Sequence, residues 1–448
     1  MIANHSMGQR ALVSALFAGL TFWLGYAADR ADFWLLIGSY ALFFAAYVFL
    51  WRRPLSATDI RWYVLTGMAL RGLLLFAFPN LSDDIYRFVW DGQLIINGYN
   101  PFDYLPNYYI EHNILPEVLT PELYNSLNSP QYYTIYPPVL QAIFAVSVWL
   151  FPNSIAGAAI VMKSFLLVAE FGSITLIIRL LNKLHLPAQN VLLYALNPLA
   201  ILEIVGNLHF EGLMIFFLLL SLWWLMALPT PAGRALSAAA FAFSVATKLL
   251  PLMFLPFLIH PLGWRRSIYY FTLLGGILCL LFTPLFSSFF IQNFGESLNL
   301  YFRRFEFNAS VFYIAKWIGY AQTGRNLVKI IGPILATFTL LIIIILVIAR
   351  QKKDWLSLPE SWLFAISIYL LNTTTVHPWY ILLPLLLSVF TRWRYAVVWS
   401  GLVWLSYSHY QGGEFRENYL LITLEYALVL GWWAWEASAV QLGRPTTS

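Results

Sequence analysis

Four charged side chains within nine positions, Asp83, Asp84, Arg87 and Asp91, are the residues of this chain best placed to do chemistry. They lie in the stretch LSDDIYRFVWDGQLIINGYNPF (Leu81–Phe102), in a chain that is only 10% charged. Two adjacent carboxylates can hold a divalent cation, accept a proton, or do both. The competing reading is a solvated loop with a few acids and turn residues. Two features favour chemistry. Tyr86, Phe88 and Trp90 interleave with the acids, a pattern that predicts a helix lying at a membrane interface with one polar face. Further polar groups stand at the ends of later apolar runs, from which they can converge on the same surface.

The elements that must position these residues are membrane helices. The chain has 448 residues, of which 60% are hydrophobic and 18% aromatic, and its mean hydropathy is +0.69. Repeated apolar runs of bilayer length make it a polytopic, all-α membrane protein. The single cysteine, Cys279, excludes a disulfide framework. The net charge of +5 comes from short connectors and carries no long basic run, so nucleic acid is not an expected partner. No cleavable signal is expected at Ala11–Ala27. Apolar runs at about 11–27, 33–51 and 62–79, with Arg52, Arg53 and Arg61 read as cytoplasmic, put 80–136 on the outer face. After Arg87 that segment holds Asp91, Asp103, Glu111, Glu117 and Glu122, and no lysine. It re-enters through Tyr136-Pro137-Pro138.

Basic connectors set the parity beyond. Arg179 and Lys183, Arg234, Arg265 and Arg266, 350–353, and Arg392 with Arg394 read as inside. The stretches 206–211, 292–308, 372–377 and 409–417 then read as outside. Three segments do not fit. The runs 139–151 and 158–181 give one crossing too many. The run 235–259 begins and ends beside cytoplasmic charge, which suggests two half-helices meeting near Lys248. The run 310–320 is too short to span. Broken helices in a membrane tend to line a polar cavity. The count is roughly a dozen crossings in a single domain.

Several later positions share this expense. Asn197, Glu203, Asn207, His209 and Glu211 form an ionisable cluster between apolar helices, read either as a capped hairpin or as part of a site. Lys248 sits midway along an apolar run beside Pro251, where a cation at a helix break suits a phosphate. Arg303 and Arg304 lie outside against the positive-inside trend and so face an anion, unless they mark the cytoplasm. Lys163 and Glu170 share a helix face and read as an internal pair. His377 closes one outer loop, and His409, Glu414, Arg416 and Glu417 form another. There is no Walker loop, GxSxG, dinucleotide fingerprint or Cys/His metal spacing. Gly275-Gly276 suits close helix packing.

The order Asp83-Asp84, Tyr86, Asp91, Gly98, Asn100-Pro101-Phe102, then Tyr136 and Pro138, resembles the first outer loop of GT-C glycosyltransferases. It is most similar to the polyprenol-phosphate-mannose-dependent mannosyltransferases, both the bacterial alpha-mannosyltransferases and the enzyme that adds the first mannose in GPI-anchor synthesis. The Asn197–Glu211 run, the Lys248 turn, Phe307-Asn308 and Pro378-Trp379-Tyr380 also resemble pieces of the bacterial members. One departure is that the GPI enzyme's DxD becomes Asp83-Asp84 with Ile85 in the second acidic place.

The resemblance implies a GT-C type helical bundle with a long outer catalytic loop. It implies inverting transfer of a hexose, most simply mannose, from a polyprenyl-phosphate donor to a glycan or glycolipid. The reaction would occur on the periplasmic side of a bacterial inner membrane. Asp84 or Asp83 is then the expected base, and Lys248, Arg303, Arg304 and His377 the donor-phosphate ligands. Tyr86, Arg87, Asp91, Asn207, Asn308 and Tyr136 would position substrate or loop. A divalent cation, Mg2+ or Mn2+, would be held by Asp83, Asp84, His209 and Glu211. Competing readings are another sugar from the same donor type (glucose, arabinose or aminoarabinose), or a lipid or solute transporter, which shares broken helices but often shows an internal repeat absent here.

Overall fold

The computed structural model describes residues 5–112, 119–303, 305–350, 354–413 and 415–441, with backbone alone for 300–303. All regular structure among the described residues is helical, apart from one isolated parallel bridge between Phe307 and Thr375. In chain order the helices are α1 (Met7–Tyr26), α2 (Phe33–Trp51), α3 (Ala57–Leu73), α4 (Asp84–Ile96), α5 (Pro106–Glu111), α6 (Pro121–Asn125), α7 (Pro138–Leu150) and α8 (Ile155–Lys183). A bent pair follows, α9 (Ala188–Ala195) and α10 (Pro198–Gly206). Next come α11 (Glu211–Ala227), α12 (Pro231–Thr247), α13 (Leu250–Leu262), α14 (Trp264–Phe282), α15 (Phe290–Arg303), α16 (Val311–Thr323), α17 (Val328–Ala349) and α18 (Leu358–Asn372). The chain closes with α19 (Pro378–Ser388), α20 (Tyr395–Leu402), the 3-10 segment Val403–Gly413, and α21 (Tyr419–Gln441).

This is a helical membrane protein. Among the described residues, four helices are long and apolar enough to cross a bilayer, α2, α8, α14 with its 3-10 extension, and α17; the pair α9–α10, bent by 51°, makes a fifth. The expected dozen crossings is not met by continuous spans of that length. In their place stand short apolar helices such as α7, α11, α13 and α19. A short helix leaves free carbonyls and amides at its ends, and in lipid these need partners supplied by the protein. Buried polar side chains supply them here.

The clearest case is Lys163 on α8. Its ammonium donates to the carbonyls of Leu74 (3.3 Å) and Ala77 (2.5 Å), at the end of α3, and to that of Gly206 (2.8 Å), at the end of α10. One helical stretch further, Glu170 accepts from Arg71 Nε (2.7 Å) and from Tyr194 OH (2.7 Å), while Arg71 also donates to the carbonyls of Gly67 and Ala195. Lys163 and Glu170 therefore do not pair with each other. Each fastens the broken α9–α10 element to α3.

The three ill-fitting segments have distinct explanations. Helices α4 and α7 lie side by side: Phe88 stacks on Phe144 (4.5 Å), and Gly92 passes so close that an added Cβ would stand 2.7 Å from the Phe144 carbonyl. Each has 13 residues, about 20 Å at 1.5 Å per residue and short of a bilayer core of about 30 Å. The surplus crossing is thus half of a paired unit. Helix α12 stops at Thr247, Lys248 is extended (φ −149°, ψ 137°), and α13 starts two residues later, so the run does break at the lysine. Helix α16 is a short element closed by Gly324 at φ +66°.

Helix α4 also departs from expectation. It is no surface helix with one polar face, because Ile85 and every residue from Arg87 to Leu94 are buried. Arg87 and Asp91 turn inward to each other. At the other end of the molecule the basic connectors meet: Gln189 Nε2 donates to the carbonyls of Trp51 and Arg53, Asn190 Nδ2 to that of Val389, and Arg394 to those of Ser388 and Thr391. Replacing Lys163 with methionine strands three buried carbonyls, each worth about 1–3 kcal/mol. The expected outcome is a melting temperature lowered by several degrees in detergent, read by intrinsic fluorescence; an unchanged value would contradict the role given to this lysine.

Candidate active site

Asp83 and Asp84 open α4, immediately after the link from α3 that Lys163 ties down. The Asp84 N–H reaches Ser82 Oγ at 3.4 Å, so the turn is closed by serine and both carboxylates are free for other work. Asp83 accepts from Arg30 Nη2 at 2.6 Å. Arg30 sits between α1 and α2, with its guanidinium 5.0 Å from the Tyr410 ring centroid. Asp84 accepts from Asn128 Nδ2 at 3.1 Å.

Both carboxylates face a cavity of about 600 Å3, lined also by Arg30, Arg87, Asn128, Tyr132, Tyr136, Glu211, Lys248, Glu306, Phe307, His377, Trp379 and Tyr410. Every stretch assigned to the outer face contributes to it. The charges around it are largely matched. Arg30 holds Asp83, Lys248 holds Glu211, Arg87 holds Asp91 and Lys316 holds Glu306. Asp84 is the cavity carboxylate that lacks a cationic partner among the described residues. Lys248 uses one of its three donors on Glu211 and remains partly exposed.

Below the cavity floor, Arg87 donates to Asp91 Oδ1 (2.8 Å) and to the Tyr132 carbonyl (2.9 Å). The fully buried Asp91 also accepts from Thr134 Oγ1 and from Gln141 Nε2 (3.0 Å). One carboxylate thereby joins α4, the returning outer segment and α7. Tyr136 packs its edge on Phe88 (5.0 Å) and lines the cavity. Tyr86 turns away towards Phe78.

A column of rings forms the opposite wall. His209 stacks on Trp379 (3.6 Å between centroids), Trp379 on His377 (4.5 Å) and His377 on Phe307 (4.4 Å). Burial, and then the nearby His209, Lys248 and His409, push the His377 pKa down to about 3. His377 reaches the cavity, and burial disfavours the charged form of its ring there. His209 does not line the cavity. Its Nδ1 lies 3.0 Å from the Glu203 carbonyl and 3.2 Å from Glu203 Oε2, and Asn207 Nδ2 donates to the same oxygen (3.1 Å).

The residues offered for a divalent ion do not form a ligand set. Asp83 is taken by Arg30, Glu211 by Lys248, and His209 lies behind Trp379. Among the described residues no three His, Cys, Asp or Glu side chains converge. Asn308 stands behind the wall, in the left-handed conformation (φ +49°), with Nδ2 donating to Glu425 (3.1 Å). The Arg303 side chain and all of Arg304 lie outside the described residues.

Arg30, Asn128 and Glu306 escaped the sequence reading. Arg30 left a signal: it is a cation on a connector that parity places outside, the same exception noticed at Arg303 and Arg304.

Residues 1–262 match the model of a family described as alpha-(1->6)-mannopyranosyltransferase, N-terminal domain. The chain belongs to that family. It is a glycosyltransferase, and the family implies a sugar donor and a glycan acceptor. The matched stretch contains Asp83, Asp84, Glu211 and Lys248, whereas the Phe307–His377 wall lies beyond it. No curated protein and no solved structure matches the chain.

Replacing Asp91 with asparagine leaves Arg87 buried without its counter-ion, a loss of about 3–5 kcal/mol. The expected outcome is faster chymotryptic cleavage within 119–137 and a lower melting temperature. Cleavage at the wild-type rate would show that Asp91 does not anchor that segment.

Proposed function

We propose that the protein transfers a mannosyl group, with inversion, from a polyprenyl-phosphate donor to a hydroxyl of a glycan. The reaction takes place at the outer, periplasmic face of a bacterial inner membrane. The observation that carries this reading is the pairing, on one cavity, of a carboxylate without a cationic partner among the described residues, Asp84, and an ammonium that spends one donor on Glu211 among them, Lys248. Asp84 accepts the proton of the acceptor hydroxyl as that oxygen attacks C1 of mannose. The bond from C1 to the phosphate oxygen breaks on the far side, and the charge left on the lipid phosphate is met by Lys248. Asp83 cannot play the same part while Arg30 occupies it. It fixes the loop, and Asn128 orients the base.

A lipid donor also needs an apolar path to the bilayer. Leu249, Leu250, Leu298 and Phe305 also line the cavity, and Leu252, two positions after Leu250 on α13, is exposed. The inner placement of the basic connectors supports an outward-facing site. No step is drawn through a metal ion: Asp83 is held by Arg30, Glu211 by Lys248, and among the described residues no three ligating side chains converge.

The test uses protein in nanodiscs with radiolabelled polyprenyl-phosphate-mannose and a mannoside acceptor. Asp84→Asn is expected to lower kcat by about 10^2- to 10^4-fold with donor binding kept. Lys248→Met should weaken donor binding, and Asp83→Asn should cost less than Asp84→Asn. Turnover with a nucleotide-linked mannose alone, or retention at C1 seen by NMR, would overturn the reading. Activity abolished by chelation and restored by Mg2+ would overturn its metal-free form.

A further inference from the structure

Phe307 forms part of the cavity wall, and its place is set by residues on its far side. The Phe307 N–H donates to the Thr374 carbonyl (3.1 Å), and the Val376 N–H donates to the Phe307 carbonyl (2.8 Å), which lays 305–309 beside 373–377 and brings Phe307 onto His377. Asn308 ends this pairing in a conformation that asparagine and glycine tolerate better than other residues. Two acids grip it. Glu425 on α21 accepts from Asn308 Nδ2 and from Trp399 Nε1 (2.8 Å), and Tyr426 OH donates to the Asn308 carbonyl (2.7 Å). Glu417, on the connector before α21, accepts from the Asn308 N–H and from Tyr313 OH.

We propose that Glu417 and Glu425 are positioning residues for mannosyl transfer, which clamp Asn308 from two sides and so hold the Phe307–His377 wall where the substrate needs it. This rests on the transfer reading above. Neither acid touches the cavity, so both act through Asn308.

Both acids of the clamp respond to pH, and the test is made at the outer one, Glu417. Burial, with Glu306 adding like charge, raises the Glu417 pKa to about 7, against the opposing bonds from Asn308 and Tyr419. Among the described residues, Glu306 on the wall strip, Tyr313 on α16 and Tyr419 on α21 face Glu417, with Lys316 near by on α16 and Arg416 beside it in sequence. Lys316 is paired with Glu306, so it does not neutralise Glu417. As the carboxylate, Glu417 accepts the Asn308 N–H fully. Protonation as pH falls through 7 weakens that bond and loosens the wall, so transfer should fall on the acid side.

The experiment compares wild type, Glu417→Gln and Asn308→Gly for mannosyl transfer from pH 5.5 to 8.5, with hydrogen exchange at Phe307 and Val376 followed in parallel. Glycine keeps the left-handed backbone and removes only the bond to Glu425. The expected result is an acid limb near pH 7 in wild type that is reduced in Glu417→Gln, where Glu425 alone remains to titrate. That variant should run several-fold slower at pH 8, as exchange of a charge-assisted bond for a neutral one implies, with donor KM little changed and faster exchange at both amides. Asn308→Gly should also exchange faster. A limb of unchanged depth in Glu417→Gln, or exchange unchanged in both variants, would overturn the proposal. If wild type transfers no mannose, the transfer reading fails on its own, and exchange at the two amides still decides whether the clamp exists.

Discussion

An ammonium buried in apolar surroundings is costly unless all its protons find acceptors, and Lys163 finds three in backbone carbonyls. Those carbonyls belong to two chain ends that stop inside the molecule, the end of α3 and the end of α10. Each is followed within about ten residues by an acid of the cavity, Asp83 and Asp84 after the first, Glu211 after the second. A continuous helix would have satisfied the same carbonyls itself and left no place for those acids to emerge. The lysine makes interruption tolerable, and the interruption makes the site.

The same economy governs the other charges. Arg71 with Glu170, Arg87 with Asp91, Arg30 with Asp83 and Lys248 with Glu211 are four ion pairs, two of them deep in the helix bundle and two bordering the cavity. The deep pairs gain their value from extra hydrogen bonds to carbonyls and side chains, without which burial would outweigh attraction. The bordering pairs keep cations and acids in set positions without consuming every donor. Against this background Asp84 differs from its neighbour, among the described residues, in meeting a neutral amide where Asp83 has a guanidinium.

Much of this was legible in the sequence. Hydropathy announced the membrane helices, and the expense of charge in apolar runs marked Asp83, Asp84 and Lys248, all three of which line the cavity. Lys248 was also readable as a break, because a lysine followed by Pro251 opposes a continuous helix. What was not legible depends on pairing at a distance. Asn207 and His209 look like Lys248 in one dimension, yet they hold Glu203 behind the wall. The apolar run of α7 has the composition of a span, and only its packing on Gly92 and Phe88 shows that it accompanies α4. Arg30 is separated from Asp83 by 53 positions, with nothing local to join them.

The ring column has an electrical side. Both faces of Trp379 and of His377 are covered by neighbouring rings, so these groups can meet the cavity only with their rims. An aromatic ring carries its negative charge density on the faces and a positive fringe at the edge. The wall therefore presents a weakly positive border of C–H and N–H groups while bearing no net charge. Sugar hydroxyls and phosphate oxygens can rest against such a border without being bound to it as they would be by an ion. A product made there can leave.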